Sequence, residues 1–173
     1  FEKKVEDFKI RMESLVKRHP KDKDIQFLNA KITTSEKGYD EAIKTLSSLV
    51  AETDSSEVTT DLARNQWLNG QKDAAISTLE LWMSEHENDS QVLMLLAQYL
   101  IAENRVSEAR QAYVKLDKQL PDNSIVLNNL AWLMKDSDPQ KGVEYAKKAL
   151  SLDTESPYIK DTLSALLLLN NQA

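Results

Sequence analysis

The chain has 173 residues at 19.7 kDa, 41% of them hydrophobic, which supplies a sizeable core and excludes both a disordered chain and a minimal disulfide-stapled fold. It contains no cysteine, so disulfides, thiolate metal sites and thiol nucleophiles are excluded together. Lys+Arg at 22 against Asp+Glu at 28 gives a net charge of −6, which leaves no global phosphate-binding surface and argues against nucleic acid as a partner. Three glycines and four prolines are too few for a many-turned all-β protein, and abundant Leu, Ala, Lys, Glu and Gln read as all-α.

The chain opens at Phe1-Glu2-Lys3-Lys4 in a charged amphipathic pattern without an initiator Met, and is read as a piece of a longer protein. Amphipathic periodicity then predicts ten helices, near residues 2–18, 23–36, 40–53, 56–69, 72–86, 90–103, 106–119, 124–136, 139–152 and 157–170. Lys37-Gly38 and Asn69-Gly70 stand where helices should end, with glycine able to take the left-handed conformation at no steric cost. Ser55, Asp89, Ser90 and Ser124 offer capping oxygens at helix starts. Asp138-Pro139 and Ser156-Pro157 add proline in the first turn. No stretch of about 18 uncharged apolar residues occurs, and Leu163–Leu169 is too short to cross a bilayer, so no direct membrane insertion is expected.

The helices repeat. Ala63, Ala97 and Ala131 recur at one constant step, preceded by Leu62, Leu96 and Leu130, and a second series, Ala75 and Ala109, keeps the same period. The separation from Ala63 to Ala75 is reproduced from Ala97 to Ala109, as expected when two antiparallel helices joined by a short loop bring small side chains together at a crossing. The unit is a helical hairpin, and because one hairpin cannot bury its apolar stripe alone, the hairpins should stack into a solenoid.

These residues resemble the tetratricopeptide repeat, whose unit is about 34 residues long. Leu93, Leu96, Ala97, Leu100, Ala109, Tyr113 and Pro121 match its pattern of large and small slots, aromatic and closing proline. Thr59, Leu62, Ala63, Gln66, Ala75 and Leu79 fill the previous copy, with Glu87 where proline is usual. Leu127, Leu130, Ala131 and Met134 fill the next, followed by Gly142 and Ala146 after a turn one residue shorter. In the copy at 23–55, Ala30 and Ala42 keep the small-to-small spacing of the other copies while Ile25, Leu28 and Ile32 fit a register one residue earlier, and both registers stand open. The resemblance implies an all-α, right-handed superhelical solenoid of about ten helices over residues 1–173. Residues 1–20 would be the second helix of a truncated repeat, with Phe8, Met12, Leu15 and Pro20 at the right spacings. Repeats would follow at 22–55, 56–89, 90–123 and 124–156, with 157–173 as the first helix of a further one.

A narrower resemblance runs through Asn128–Leu133, Asp138-Pro139, Tyr145–Leu150 and Asp161–Leu163, which look like bacterial repeat proteins of the cell envelope. The nearest family is the repeat lipoprotein of the PEP-CTERM/exosortase system and exopolysaccharide loci. It implies a periplasmic or cell-envelope location, through an N-terminal signal.

Catalytic chemistry fails on inventory. The two histidines, His19 and His86, stand roughly two repeats apart at the ends of predicted second helices, and read as cations at helix C-termini. No histidine pair has ligand spacing, and glycines 38, 70 and 142 are isolated, so neither metal nor nucleotide is indicated. The chain is expected to be non-enzymatic and to need no cofactor. Asn88-Asp89-Ser90 matches a glycosylation acceptor but is better explained by helix capping. Residues 1–23 carry eight basic and five acidic side chains against fourteen and twenty-three in the remainder, an asymmetry that fits a solvated helix.

The resemblance implies that first helices line a concave groove. Their second stripe, spaced three and four positions apart, holds Thr60, Arg64, Trp67, Met94, Gln98, Ile101, Asn128, Trp132 and Lys135. This mixture of aromatic and polar side chains suits capture of a protein or peptide. The bland alternative is that Trp67 and Trp132 fill seams between hairpins, as Trp82 is expected to do. The carboxylate clamp of chaperone-binding relatives is missing, since its places hold Thr60 and Arg64, then Met94 and Gln98. The last helix is apolar nearly all round and needs a cover, either a further helix or a second copy, which marks Leu166, Leu168 and Leu169 as a patch for homodimerisation. The expected function is a non-catalytic protein- or peptide-binding scaffold within a larger bacterial cell-envelope or exopolysaccharide-associated protein. The alternative is a self-assembly or spacer segment that oligomerises through its terminal helices.

Overall fold

The computed structural model describes residues 2–36 and 38–170, with side chains from Lys9 onward. Phe1, Lys37 and the side chain of Phe8 therefore lie outside the described residues. Within these there are ten helices and no strand: α1 Glu2–Arg18, α2 Lys23–Ser35, α3 Tyr39–Glu52, α4 Ser56–Leu68, α5 Lys72–Glu85, α6 Ser90–Ala102, α7 Val106–Gln119, α8 Ser124–Leu133, α9 Pro139–Leu152 and α10 Pro157–Asn170. No helix among the described residues is long and apolar enough to cross a membrane. The chain divides into two compact units, Phe1–Glu85 and His86–Ala173.

In the first unit, α1 lies against α2, and the hairpins α2/α3 and α4/α5 pack through α3 against α4. Ala30, Ala42, Ala63 and Ala75 are all buried, as their regular spacing requires of a close crossing. This settles the register of α2: Ala30 sits in a core with Ala42, Leu46, Leu49, Val58 and Leu62, whereas Leu28 faces outward. The register one residue earlier is overturned because it would turn the smallest side chain of α2 away from its closest approach to α3.

Gly70 has φ of +79°, the left-handed cap expected, and the Gln71 N–H closes the turn on the Gln66 carbonyl at 2.8 Å. Gly38 differs: its φ is −79° and it stands at the start of α3, so handedness does not explain it. A Cβ there would lie 2.9 Å from Thr33 Cγ2, and its N–H donates to the Thr33 carbonyl at 3.0 Å. Close approach, and not a left-handed cap, accounts for this glycine.

In the second unit, α6/α7 and α8/α9 form hairpins and α10 packs on both α8 and α9. Ala97 and Ala109 are buried at one crossing, and Tyr113 fills the aromatic slot behind it. Ala131 meets Gly142 at the other, where a Cβ on Gly142 would come within 2.9 Å of the Ala131 carbonyl oxygen. The small residues stand one position closer here, yet the connection between the helices is longer, residues 134–138, because α8 ends at Leu133, three residues earlier than expected. Asp138 is extended at φ of −158° and caps α9 by accepting from the Lys141 N–H at 3.1 Å, with Pro139 in the first turn. A proline disfavours helix in the residue before it, so the chain must leave α8 early to reach this start. Asp89 and Ser55 cap as expected, but Asn123 caps α8 in place of Ser124, accepting from Ile125 and Val126. Each such cap stabilises its helix by about 1 kcal/mol.

One expected surface residue is overturned. Leu166 is fully buried in a core with Ala131, Val143 and Ala146, so it cannot belong to an exposed oligomer patch. Leu167, Leu168 and Leu169 are exposed. The helix uses Leu166 to cover Gly142, its methyls lying 3.5 Å from where a Cβ would stand, which fixes the neighbouring leucines on other faces.

Candidate functional site

The first-helix stripe has a different character in each unit. In the first, Thr60 is only 1% exposed and donates its hydroxyl to the Glu57 carbonyl at 3.0 Å, so it belongs to the interior and not to a ligand-facing surface. The cause is that α2 lies directly against α4. Arg64 is exposed and donates to Asp61 Oδ1 at 3.2 Å. Asp61 also lies 3.7 Å from Lys31 Nζ, which in turn bonds Glu57 at 2.6 Å and stands 4.6 Å over the Phe27 ring. The hydrogen bond to Glu57 is the main cause holding the Lys31 ammonium above the usual lysine range. Trp67 is half-buried, with Lys72 Nζ at 5.3 Å from its ring. This face pairs its own charges and covers its own aromatics.

In the second unit, Met94 and Ile101 of α6 are half-buried and Gln98 is exposed. On α8, Asn128 is half-buried and its Oδ1 is shut off from solvent without a hydrogen-bond partner, so the carbonyl is not presented to a ligand. Trp132 is exposed, with Lys135 Nζ 4.4 Å above its ring. Two residues missed in the sequence extend this stripe along adjacent helices. Ile125 on α8 is 59% exposed, Trp132 41%, Tyr158 on α10 78% and Leu168 64%. A signal for Tyr158 exists in the sequence: because Ala131 and Gly142 stand one position closer than their counterparts, the next-repeat equivalents of Ile125 and Lys135 are Tyr158 and Leu168.

His19 is exposed just beyond α1, and His86 is half-buried ahead of α6. Among the described residues no group of three His, Asp or Glu side chains could hold a metal ion. Tyr113 is the strongly perturbed group among those with a resolved shift, its phenol pushed up to about 12 by burial, and its hydroxyl has no hydrogen-bond partner. It fills a packing slot inside the α6/α7 hairpin.

Residues 35–99 match the tetratricopeptide repeat family. Among solved structures, MamA is similar at TM-score 0.72 and 18% identity over 83% of this chain and 85% of that one. YrrB, described as a TPR protein with an unusual peptide-binding site, is similar at TM-score 0.72 and 14% identity over 92% of this chain and 83% of that one. A tetratricopeptide repeat protein from Parabacteroides merdae reaches TM-score 0.78 at 14% identity, over 87% of this chain and 60% of that one. At such identities these likenesses establish a shared fold. No curated protein matches the chain. Residues 35–99 thus carry the tetratricopeptide repeat, and the described residues on either side share its hairpin fold.

Proposed function

We propose that this chain is a non-catalytic scaffold that captures a protein or peptide segment on the first-helix face of its second unit. Proteins of this family bind peptides and proteins, and the YrrB description points to peptide binding on the same fold. The observation that carries the reading is the exposed row Ile125, Trp132, Tyr158 and Leu168, large apolar side chains at ligand-facing register positions. Trp and Tyr supply contact area at low entropy cost because few torsions must be fixed, and a folded helix pair has already met the cost of positioning them. Lys135 and Gln98 offer polar contacts beside this row, while Arg64 and Trp67 belong to the self-paired face.

The test is selection of peptides on the purified chain, followed by titration against wild type and the double variant Trp132→Ala/Tyr158→Ala. Loss of affinity by about tenfold or more is expected; equal binding would remove the proposal.

A second reading is favoured by Leu167, Leu168 and Leu169, exposed together on α10: self-association through the terminal helix. Light scattering of Leu168→Glu/Leu169→Glu separates the two, since dissolution of a wild-type dimer belongs to this reading alone. A bacterial cell-envelope or exopolysaccharide-associated setting rests on the resemblance of residues 128–163, and membrane fractionation of the native protein tests it.

A further inference from the structure

The first unit carries a cleft of about 670 Å³ on the side formed by second helices. Its walls are α3 and α5, which both pack on α4 but not on each other, and its floor is α4. Val50, Leu62 and Trp82 give it an apolar lining, and Leu81 stands exposed at its edge. On the floor, Thr78 donates to Gln66 Oε1 at 2.8 Å, so that polar pair is already satisfied. The volume lies within the usual range for a binding cleft, and a gap bounded by two helices and floored by a third has the form that accepts another helix.

Charge says what kind of helix. Glu52, Asp54 and Glu85 line the cleft, and none of its described lining residues is a cation. Lys23, 3.5 Å from the Glu52 carboxylate and donating to the Glu52 backbone carbonyl at 2.7 Å, offsets part of this charge from outside the lining, and three carboxylates against one ammonium leave the end acidic. Both α3 and α5 run antiparallel to α4, so their C-termini, where backbone carbonyls concentrate partial negative charge, meet at the end that holds these carboxylates. Neither helix has a basic residue of its own in its last turn, and Lys23 of α2 reaches one terminal carbonyl here, that of α3.

We propose that this cleft docks an amphipathic helix of a partner protein, with apolar side chains seated on Val50, Leu62, Leu81 and Trp82 and Lys or Arg residues facing Glu52, Asp54 and Glu85. The site belongs to the first unit, and the Trp132 face to the second. Its test is selection on the full Trp132→Ala chain from a displayed library of helical peptides about sixteen residues long, with the winners measured by fluorescence anisotropy. The expected winners carry apolar residues at i, i+3 and i+4 and cluster Lys or Arg at one end. Their affinity should fall about tenfold or more with Leu81→Arg or Glu85→Lys, both surface substitutions, and should fall with added salt. Winners without a cationic bias, or binding indifferent to Leu81→Arg, would overturn the proposal. So would a wild-type dimer that Leu81→Arg dissolves, because the occupant would then be a second copy. Winners that bind here while the Trp132 face proves inert would support this site and sink only the earlier one.

Discussion

The two units use one hairpin plan and present opposite surfaces. On α2 and α4, the second stripe of the first helices holds Lys31, Glu57, Asp61 and Arg64, which satisfy one another, with Phe27 covered by Lys31. On α8 and α10 the same register holds Ile125, Trp132, Tyr158 and Leu168, open to solvent. The core positions are nearly interchangeable between units, alanine or glycine at every crossing. Stacking therefore constrains only the small and large packing slots, and leaves the second stripe free to be closed by charge pairing or kept open as an apolar surface.

The largest expected effect breaks the second unit from inside. Leu166→Ala should cost about 2–5 kcal/mol, because it empties the space over Gly142, whereas Leu168→Ala two residues away should change stability by less than about 0.5 kcal/mol. Urea unfolding followed by circular dichroism checks both. Next comes binding: Trp132→Ala/Tyr158→Ala should weaken a selected peptide by about 1.4 kcal/mol or more, and Lys31→Ala/Arg64→Ala should leave its affinity unchanged. Calorimetric titration of wild type and both variants decides it, and equal losses would erase the contrast between the faces. Asn128→Leu removes a buried carbonyl that has no partner and keeps the volume, so it should raise stability by about 1 kcal/mol in thermal melts; a loss of that size would mean the amide is satisfied in solution.

The smallest effect tests the closed face. Lys31→Ala should cost only about 0.2–1 kcal/mol, shrinking in high salt, because the pairs are solvent-exposed. Glu57 raises the Lys31 pKa, so folding is favoured by the protonated form. Its contribution is complete at neutral pH and is lost only as pH rises through the folded-state value, in the alkaline range. A wild-type minus variant stability difference that grew with alkalinity would contradict the pairing.

Much of the fold was legible because small residues at a fixed spacing mark helix crossings, and no other arrangement needs Ala63, Ala97 and Ala131 at one constant interval. What escaped followed from local departures. The end of α8 and the cap at Asn123 depend on which of several adjacent oxygens the backbone reaches. Asn104 at φ of +58° makes the turn that Gly70 makes in the first unit, so a search for glycine could not find it. Of the proposed site, Trp132 was legible as a large aromatic on the second stripe of a first helix, and it is exposed. Thr60 was misplaced because register says which way a side chain points and not whether a neighbouring helix covers it. Tyr158 escaped because the shorter Ala131–Gly142 spacing trims the period by one position, so a strict repeat step from α8 misses its counterpart on α10, and Ile125 escaped because the expected stripe on α8 began one turn later, at Asn128.

The open face of the second unit is tested most directly by the emission of Trp132 alone, in a chain carrying Trp67→Phe and Trp82→Phe. On addition of a selected partner peptide that emission should shift to shorter wavelength and saturate with the binding isotherm. Saturable binding with Trp132 emission unmoved would contradict it.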